Sequence, residues 1–248
     1  MRPTDRRVAV VTGGARGIGS AITSSLAMAG YHVAAGYSTN QAAAEQFAAK
    51  QASAGLSVSV HKGNVGVPED CLRVVDEVLS LHGRVDVLVN NAGITLDKTV
   101  RRMTVEDWHA VLRVNLSGAF YMVQAVLEHM LERGFGRIVN ISSVVAETGA
   151  FGQANYAASK SGLFGLTKSL ALETGPKGIT VNCVAPGYTA TDMVAAIPSG
   201  VLEQYVSRVP VGRMGRPDEV ARVVRFLADD DAAYITGAII PVNGGLEM

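Results

Sequence analysis

The sequence predicts an α/β fold, a doubly wound parallel sheet in a single domain spanning residues 1–248. Three observations predict it. Short apolar runs alternate with longer helical patterns along the whole chain. The runs are hydrophobic at consecutive positions, as strands buried on both faces require. No linker or low-complexity stretch interrupts the alternation, so the strand–helix–strand units belong to one sheet with helices on both sides.

Each element follows from local pattern. VAVVT at Val8–Thr12 reads as a buried strand, followed by a helix over Ile18–Ala29. YHVAAG at Tyr31–Gly36 is the second strand and Ala42–Ala52 the second helix. SVSVH at Ser57–His61 is the third strand. Pro68 then opens a helix that runs to His82, because proline suits a first turn, where its missing N–H has no intrahelical partner. VDVLVN at Val85–Asn90 is a strand, and Glu106–Arg133 a long helix bent near Asn115. RIVNI at Arg137–Ile141, TVNCV at Thr180–Val184 and AIIPV at Ala238–Val242 are strands. Between them lie helices over Tyr156–Gly175 and Pro217–Ala228.

Composition narrows the function. The 22 basic and 22 acidic residues cancel, so the chain lacks the charge excess of a general nucleic-acid binder. Cys71 and Cys183 sit in apolar segments and read as buried free thiols of a reducing compartment. MRPTDRR runs directly into the first strand without a signal-peptide core. No window approaches 18 uncharged apolar residues, so no membrane span is expected. The expected location is cytoplasmic. The histidines show no metal-ligand spacing with a carboxylate and read as structural or surface groups, as does Trp108; no metal is expected.

In a doubly wound sheet, ligands lie beyond the carboxyl ends of the strands. After the first strand comes TGGARGIG, Thr12–Gly19. Gly13, Gly17 and Gly19 let the backbone turn into a helix N-terminus, where N–H groups favour an anion such as a pyrophosphate; Ile18 belongs to the same loop. The spacing differs from G-x-G-x-x-G, and a plain glycine turn is the bland alternative. Its place between first strand and first helix favours nucleotide binding. About twenty residues on, where a carboxylate would bind a ribose 2′-hydroxyl, the chain offers Ser38, Thr39 and Asn40 instead. Arg16 in the glycine loop would welcome a 2′-phosphate that a carboxylate would repel. The pattern points to NADPH/NADP+.

Asn64 and Val65 follow the third strand, and Asn91, Ala92 and Gly93 the fourth. Each could line a cofactor or simply terminate a strand. Ser143 follows the fifth strand, with Tyr156 and Lys160 beyond it. Positions i and i+4 share a helix face, so the phenol and the ammonium lie one turn apart. A nearby ammonium lowers a phenol's pKa and would make Tyr156 a usable acid toward a carbonyl oxygen.

Together these residues resemble the short-chain dehydrogenase/reductase family over nearly the whole chain. TGGARGIG matches the family's TGxxxGxG, NNAG is present as such, and Ser143, Tyr156 and Lys160 match its serine and YxxxK. Asn115, in VNLSGAF, matches the fourth catalytic residue. The resemblance implies a Rossmann-type seven-stranded parallel sheet and a homotetramer. It implies that Ser143 holds the substrate carbonyl and Tyr156 protonates it. Lys160 would bind the nicotinamide ribose, and Asn115 would kink its helix and hold a water. Pro186, Gly187, Thr189 and Thr191 would meet the nicotinamide carboxamide.

Within the family, NNAGIT, GQANYAASKSG, PGYTATDM and NGGLEM resemble the bacterial 3-oxoacyl thioester reductases. Two branches share these features, one acting on acyl carrier protein in fatty-acid synthesis and the other on acetoacetyl-CoA in polyhydroxybutyrate synthesis. Either implies reduction of a C3 ketone to the (3R)-hydroxyacyl thioester. Gln153 and Tyr188 are candidate substrate contacts, and Arg133 and Lys177 candidate docking cations. Residues 191–212 are an expected lid, with Val194, Ile197 and Val201 toward the acyl chain. Two alternatives stay open: a dehydrogenase of another alcohol or ketone (sugar-alcohol, steroid or quinone type), and a non-catalytic dinucleotide sensor, for which a proton donor would be superfluous.

Overall fold

A computed structural model describes residues 6–191, 203–204 and 206–248. Seven strands form one all-parallel sheet: β1 Val8–Val11, β2 His32–Tyr37, β3 Val58–Lys62, β4 Val87–Asn90, β5 Gly136–Ile141, β6 Ile179–Pro186 and β7 Ile239–Val242. Their spatial order is β3-β2-β1-β4-β5-β6-β7. The chain builds outward from β1 to β3, then returns to place β4 on the other side of β1. That reversal opens a crevice at the carboxyl ends of β1 and β4.

The doubly buried strands follow from their composition. In β1, Ala9 and Val11 enter one core and Val8 and Val10 the other. The first core packs against α1 (Gly17–Met28) through Ile22 and Leu26, and against α8 (Pro217–Ala228) through Val220, Val224 and Leu227. The second packs against α3 (Pro68–His82), α5 (Gly118–Arg133) and α7 (Ala154–Thr174). Helix α2 (Gln41–Ser53) lies beside β3.

The expected long helix divides in three: α4 (Val105–Leu112), a π-turn over Arg113–Ser117, and α5. The bend expected near Asn115 is this π-turn, one residue wider than the flanking helix and a frequent mark of functional sites. By length and mean hydropathy alone, Val105–Arg133 meets the measure of a membrane span, although charged residues interrupt it before 18 uncharged positions. In the fold, Met122, Val123, Val126 and Met130 are buried in the second core. A further correction concerns α7, which begins at Ala154 and so places Tyr156 in its first turn. A short helix at Val145–Thr148, α6, has too little sequence to show a period.

Both cysteines are free and buried. The histidines do not stay patternless: His32, His61 and His82 converge at one edge of the sheet. Of the expected lid, Val194, Ile197 and Val201 lie outside the described residues. Its end is described, where Val209 is buried and Val211 N donates to the Gly244 carbonyl at 3.1 Å.

Candidate active site

The loop between β1 and α1 is shaped by what its glycines exclude. Gly13 and Gly17 have φ of +62° and +52°, a region that side chains rarely adopt. A Cβ on Gly14 would lie 2.7 Å from the Val11 carbonyl oxygen and 3.0 Å from Ala35 Cα. One on Gly19 would collide with the Gly13 carbonyl and the Asn91 amide. The backbone therefore lies open beside the first amides of α1, which have no intrahelical partner. Arg16, the residue before α1, is exposed. Donors, a helix terminus and an exposed guanidinium fit a phosphorylated dinucleotide.

NNAG supports this loop from behind. Asn91 Nδ2 donates to the Thr12 carbonyl at 2.9 Å and to the Gly13 carbonyl at 3.3 Å. Thr12 Oγ1 accepts from the N–H groups of Asn91 and Ala92, each at 3.0 Å. Asn91 thus shapes the cradle rather than presenting its amide to a ligand. Thr12, at the end of its apolar strand, gave no sequence signal for this role. Asn40 is likewise engaged, because its Oδ1 caps α2 by accepting from Ala43 N at 3.1 Å. Ser38 is exposed beside it. Asn64 Oδ1 accepts from Gly66 N at 3.0 Å, forming the turn after β3, and Val65 lies partly buried against the second core.

The four candidate catalytic residues meet beyond β4 and β5. Asn115 is buried, exchanging two hydrogen bonds with the Ile94 backbone at 2.8 and 3.0 Å and donating to Ser159 Oγ at 3.1 Å. Ser159 Oγ in turn donates to the Tyr156 carbonyl at 2.8 Å. Ser143 Oγ accepts from Val145 N at 3.2 Å and lies near enough to the Tyr156 phenol to favour its charged form. Lys160 is 3% exposed, and its Nζ donates to the Ile141 carbonyl at 2.8 Å. That ammonium lies 5.7 Å from the centre of the Tyr156 ring. A Cβ on Gly93 would come 3.4 Å from Asn115 Oδ1 and 3.5 Å from Lys160 Nζ, so glycine keeps this junction open.

The electrostatics revise one expectation. Burial pushes the Tyr156 phenol above its ordinary value; the nearby Ser143 hydroxyl works against this, and the Asp97 charge adds to it. Burial also brings Lys160 down to about 8. Desolvation outweighs the tuning of phenol by ammonium that sequence spacing suggests, and the phenol is held as a proton donor.

The ends of β5 and β6 close the site. Val144 N donates to the Pro186 carbonyl at 2.8 Å, and Ser142 Oγ to the Lys160 carbonyl at 2.9 Å. Gly187 lies against Asn243, where a Cβ would approach the Asn243 backbone to 2.8 Å. Thr189 is buried, and Thr191 lies close to Gly17, joining the end of β6 to the glycine loop. Tyr188 lies in the same segment, its carbonyl accepting from Gly215 N at 2.9 Å. Gln153 Nε2 donates to Asp97 Oδ2 at 2.7 Å. Asp97 had no sequence signal, since its partner lies 56 positions away.

A family model described as enoyl-(acyl carrier protein) reductase matches residues 13–247. This chain belongs to the short-chain dehydrogenase/reductase family. Family reductases use nicotinamide cofactors, in keeping with the glycine cradle. The chain is 51% identical to acetoacetyl-CoA reductase of Shinella zoogloeoides, over 96% of this chain and 98% of that protein. It is 46% identical to acetoacetyl-CoA reductase of Cupriavidus necator, over 98% and 99% respectively. It is 45% identical to 3-oxoacyl-[acyl-carrier-protein] reductase of Aquifex aeolicus, over 97% of each chain.

Proposed function

We propose that this chain reduces 3-oxoacyl thioesters with NADPH, giving the (3R)-3-hydroxyacyl thioester. The observation that carries this reading is the convergence of Tyr156 and the buried Lys160, whose Nζ lies 5.7 Å from the centre of the phenol ring, in a chain whose near-full-length relatives bear the names of such reductases. The bound nicotinamide would supply hydride to the substrate carbonyl carbon. Ser143 would hold the carbonyl oxygen and Tyr156 would give that oxygen its proton. As negative charge develops on the oxygen, a prepositioned donor stabilises it without reorganisation. Lys160 would meet the ribose hydroxyls, and its charge would restrain the phenolate left after proton transfer. Asn115 holds the Ile94 turn and, through Ser159, the first turn of α7.

Arg16 and Ser38 support NADPH over NADH, because no carboxylate occupies the corresponding zone. Gln153, fixed by Asp97, and Tyr188 would contact the acyl thioester. A homotetramer is the assembly that the family resemblance implies, and a cytoplasmic setting suits the free thiols.

The test compares NADPH oxidation with acetoacetyl-CoA and with acetoacetyl-carrier protein at equal concentration. Turnover of either supports thioester reduction, and the higher kcat/KM names the carrier. Turnover of neither would overturn it.

A further inference from the structure

At the β2–β3 edge, His32 and His61 form a hydrogen-bonded series that the active site does not use, and the His82 ring packs against His32. Ser57 Oγ lies 2.7 Å from His32 Nδ1, and His32 Nε2 lies 3.1 Å from Ser59 Oγ. Ser59 Oγ lies 2.9 Å from His61 Nε2, and His61 Nδ1 lies 3.1 Å from Glu77 Oε2. Carboxylates only accept, so His61 carries a proton on Nδ1, and with that ring neutral its Nε2 accepts from Ser59. Ser59 then accepts from His32 Nε2–H, and Ser57 donates to His32 Nδ1. Every donor and acceptor is matched when both imidazoles are neutral. The connectivity Ser59–His61–Glu77 matches that of an acyl-transfer triad. Here, however, the His32 N–H occupies the serine oxygen that would attack.

The series continues toward the dinucleotide cradle. Arg73 donates to Glu77 Oε1 at 2.6 Å, to Asp70 Oδ1 at 2.9 Å and to the Lys62 carbonyl at 2.7 Å. Asp70 Oδ2 accepts from Asn64 N at 2.8 Å. A hydrogen-bonded path therefore runs from His32, along α3, to the turn at the carboxyl end of β3.

We propose that this path is a proton-operated relay. Acid charges His32 and His82, whose rings face each other across β2 and α3, loosens α3 against β2 and β3, and weakens the hold of the Asn64 turn on a bound dinucleotide. The last step rests on the proposed dinucleotide site; the loosening does not. The groups facing the cluster are His61 on β3, His82, Glu77, Arg73 and Asp70 on α3, Lys62 after His61, and Arg6 before β1. The His32 and His82 rings lie 3.7 Å apart, centre to centre, so charging either one is opposed by the other. Burial first, then His82, His61 and Arg6, bring His32 down to about 4, and burial lowers His82.

Unfolded histidine titrates near ~6.5, so between there and about 4 the unfolded chain binds more protons. Stability is full above this window and is lost as pH falls through it. For one half-buried group, after allowance for solvent screening, the unfolding equilibrium shifts about tenfold by pH ~5.

The test pairs thermal melts with NADP+ titrations, from pH 7.5 to 5, on the wild type, His32→Gln and the exposed Arg73→Gln. NADP+ is acid-stable, and titration of its own phosphate cancels in comparisons between proteins. The wild type should lose melting temperature and several-fold affinity beyond what His32→Gln loses. Arg73→Gln should keep the melting trend and lose the excess affinity change. Identical acid losses in the wild type and His32→Gln would overturn the relay. Histidine ring resonances of the wild type give a check free of substitution: His32 and His82 titrating at ordinary values would also overturn it. If NADP+ fails to bind at pH 7.5, the dinucleotide reading fails, and the melts still decide the loosening.

Discussion

In the proposed reaction the side chains act through their surroundings. Burial keeps the Tyr156 proton in place, against the opposing effect of the Ser143 hydroxyl. Lys160 is brought down to about 8 by burial, so its charge is present at neutral pH and lost as pH rises through that value. The free-enzyme profile of kcat/KM should therefore fall above a limb near 8, and in Lys160→Met that limb should be absent. The same shift has the opposite sign for stability. Between about 8 and the ordinary lysine value the unfolded chain binds more protons, so this group adds stability as pH rises. Arg16 has a narrower role. Arg16→Ala should weaken NADPH about 10- to 100-fold, the scale of a lost charge-assisted hydrogen bond, and leave NADH binding nearly unchanged. Equal losses for both cofactors in parallel titrations would remove Arg16 from the specificity role.

Elements set these residues in place through backbone features of differing legibility. The glycine loop was readable because glycine is itself the signal, and Gly14 and Gly19 have no room for a Cβ. The strands were readable because parallel sheets require continuous apolar runs. The π-turn at Asn115 was visible only as a bend. The widening depends on Asn115 bonding to Ile94, 21 positions earlier, which periodicity does not encode. Asn40 and Asn91 were ambiguous for a related reason. An amide suits a cap, a turn or a ligand equally, and only the geometry shows Asn40 capping α2 and Asn91 bracing the glycine loop. Asn40→Ala should accordingly cost about 1 kcal/mol in chemical denaturation and leave kcat unchanged. The tuning of Tyr156 by Lys160 was misjudged from spacing, because spacing does not report burial.

At the scale of the whole molecule, strand order brings the parts together. Reversal after β3 places the ends of β1 and β4 side by side, so the cradle and NNAG become one wall. The far end of the sheet is anchored separately. Asp86 is fully buried, forms two hydrogen bonds with Arg84 at 2.8 and 2.6 Å, and accepts from Val8 N at 2.8 Å. Removing one partner of such a pair strands the other, so Asp86→Ala should destabilise the domain by about 3–5 kcal/mol in equilibrium unfolding. The histidine series was invisible in sequence because His32, His61 and His82 meet only once β2, β3 and α3 are packed together.

The central claim is that Tyr156 gives the proton to a thioester-borne ketone reduced by NADPH. The most direct measurement is the rate of NADPH oxidation with acetoacetyl-CoA by Tyr156→Phe beside the wild type, with NADPH affinity measured on both. The account predicts a rate loss of about 10²- to 10⁴-fold with affinity retained. Turnover by Tyr156→Phe at the wild-type rate would contradict it.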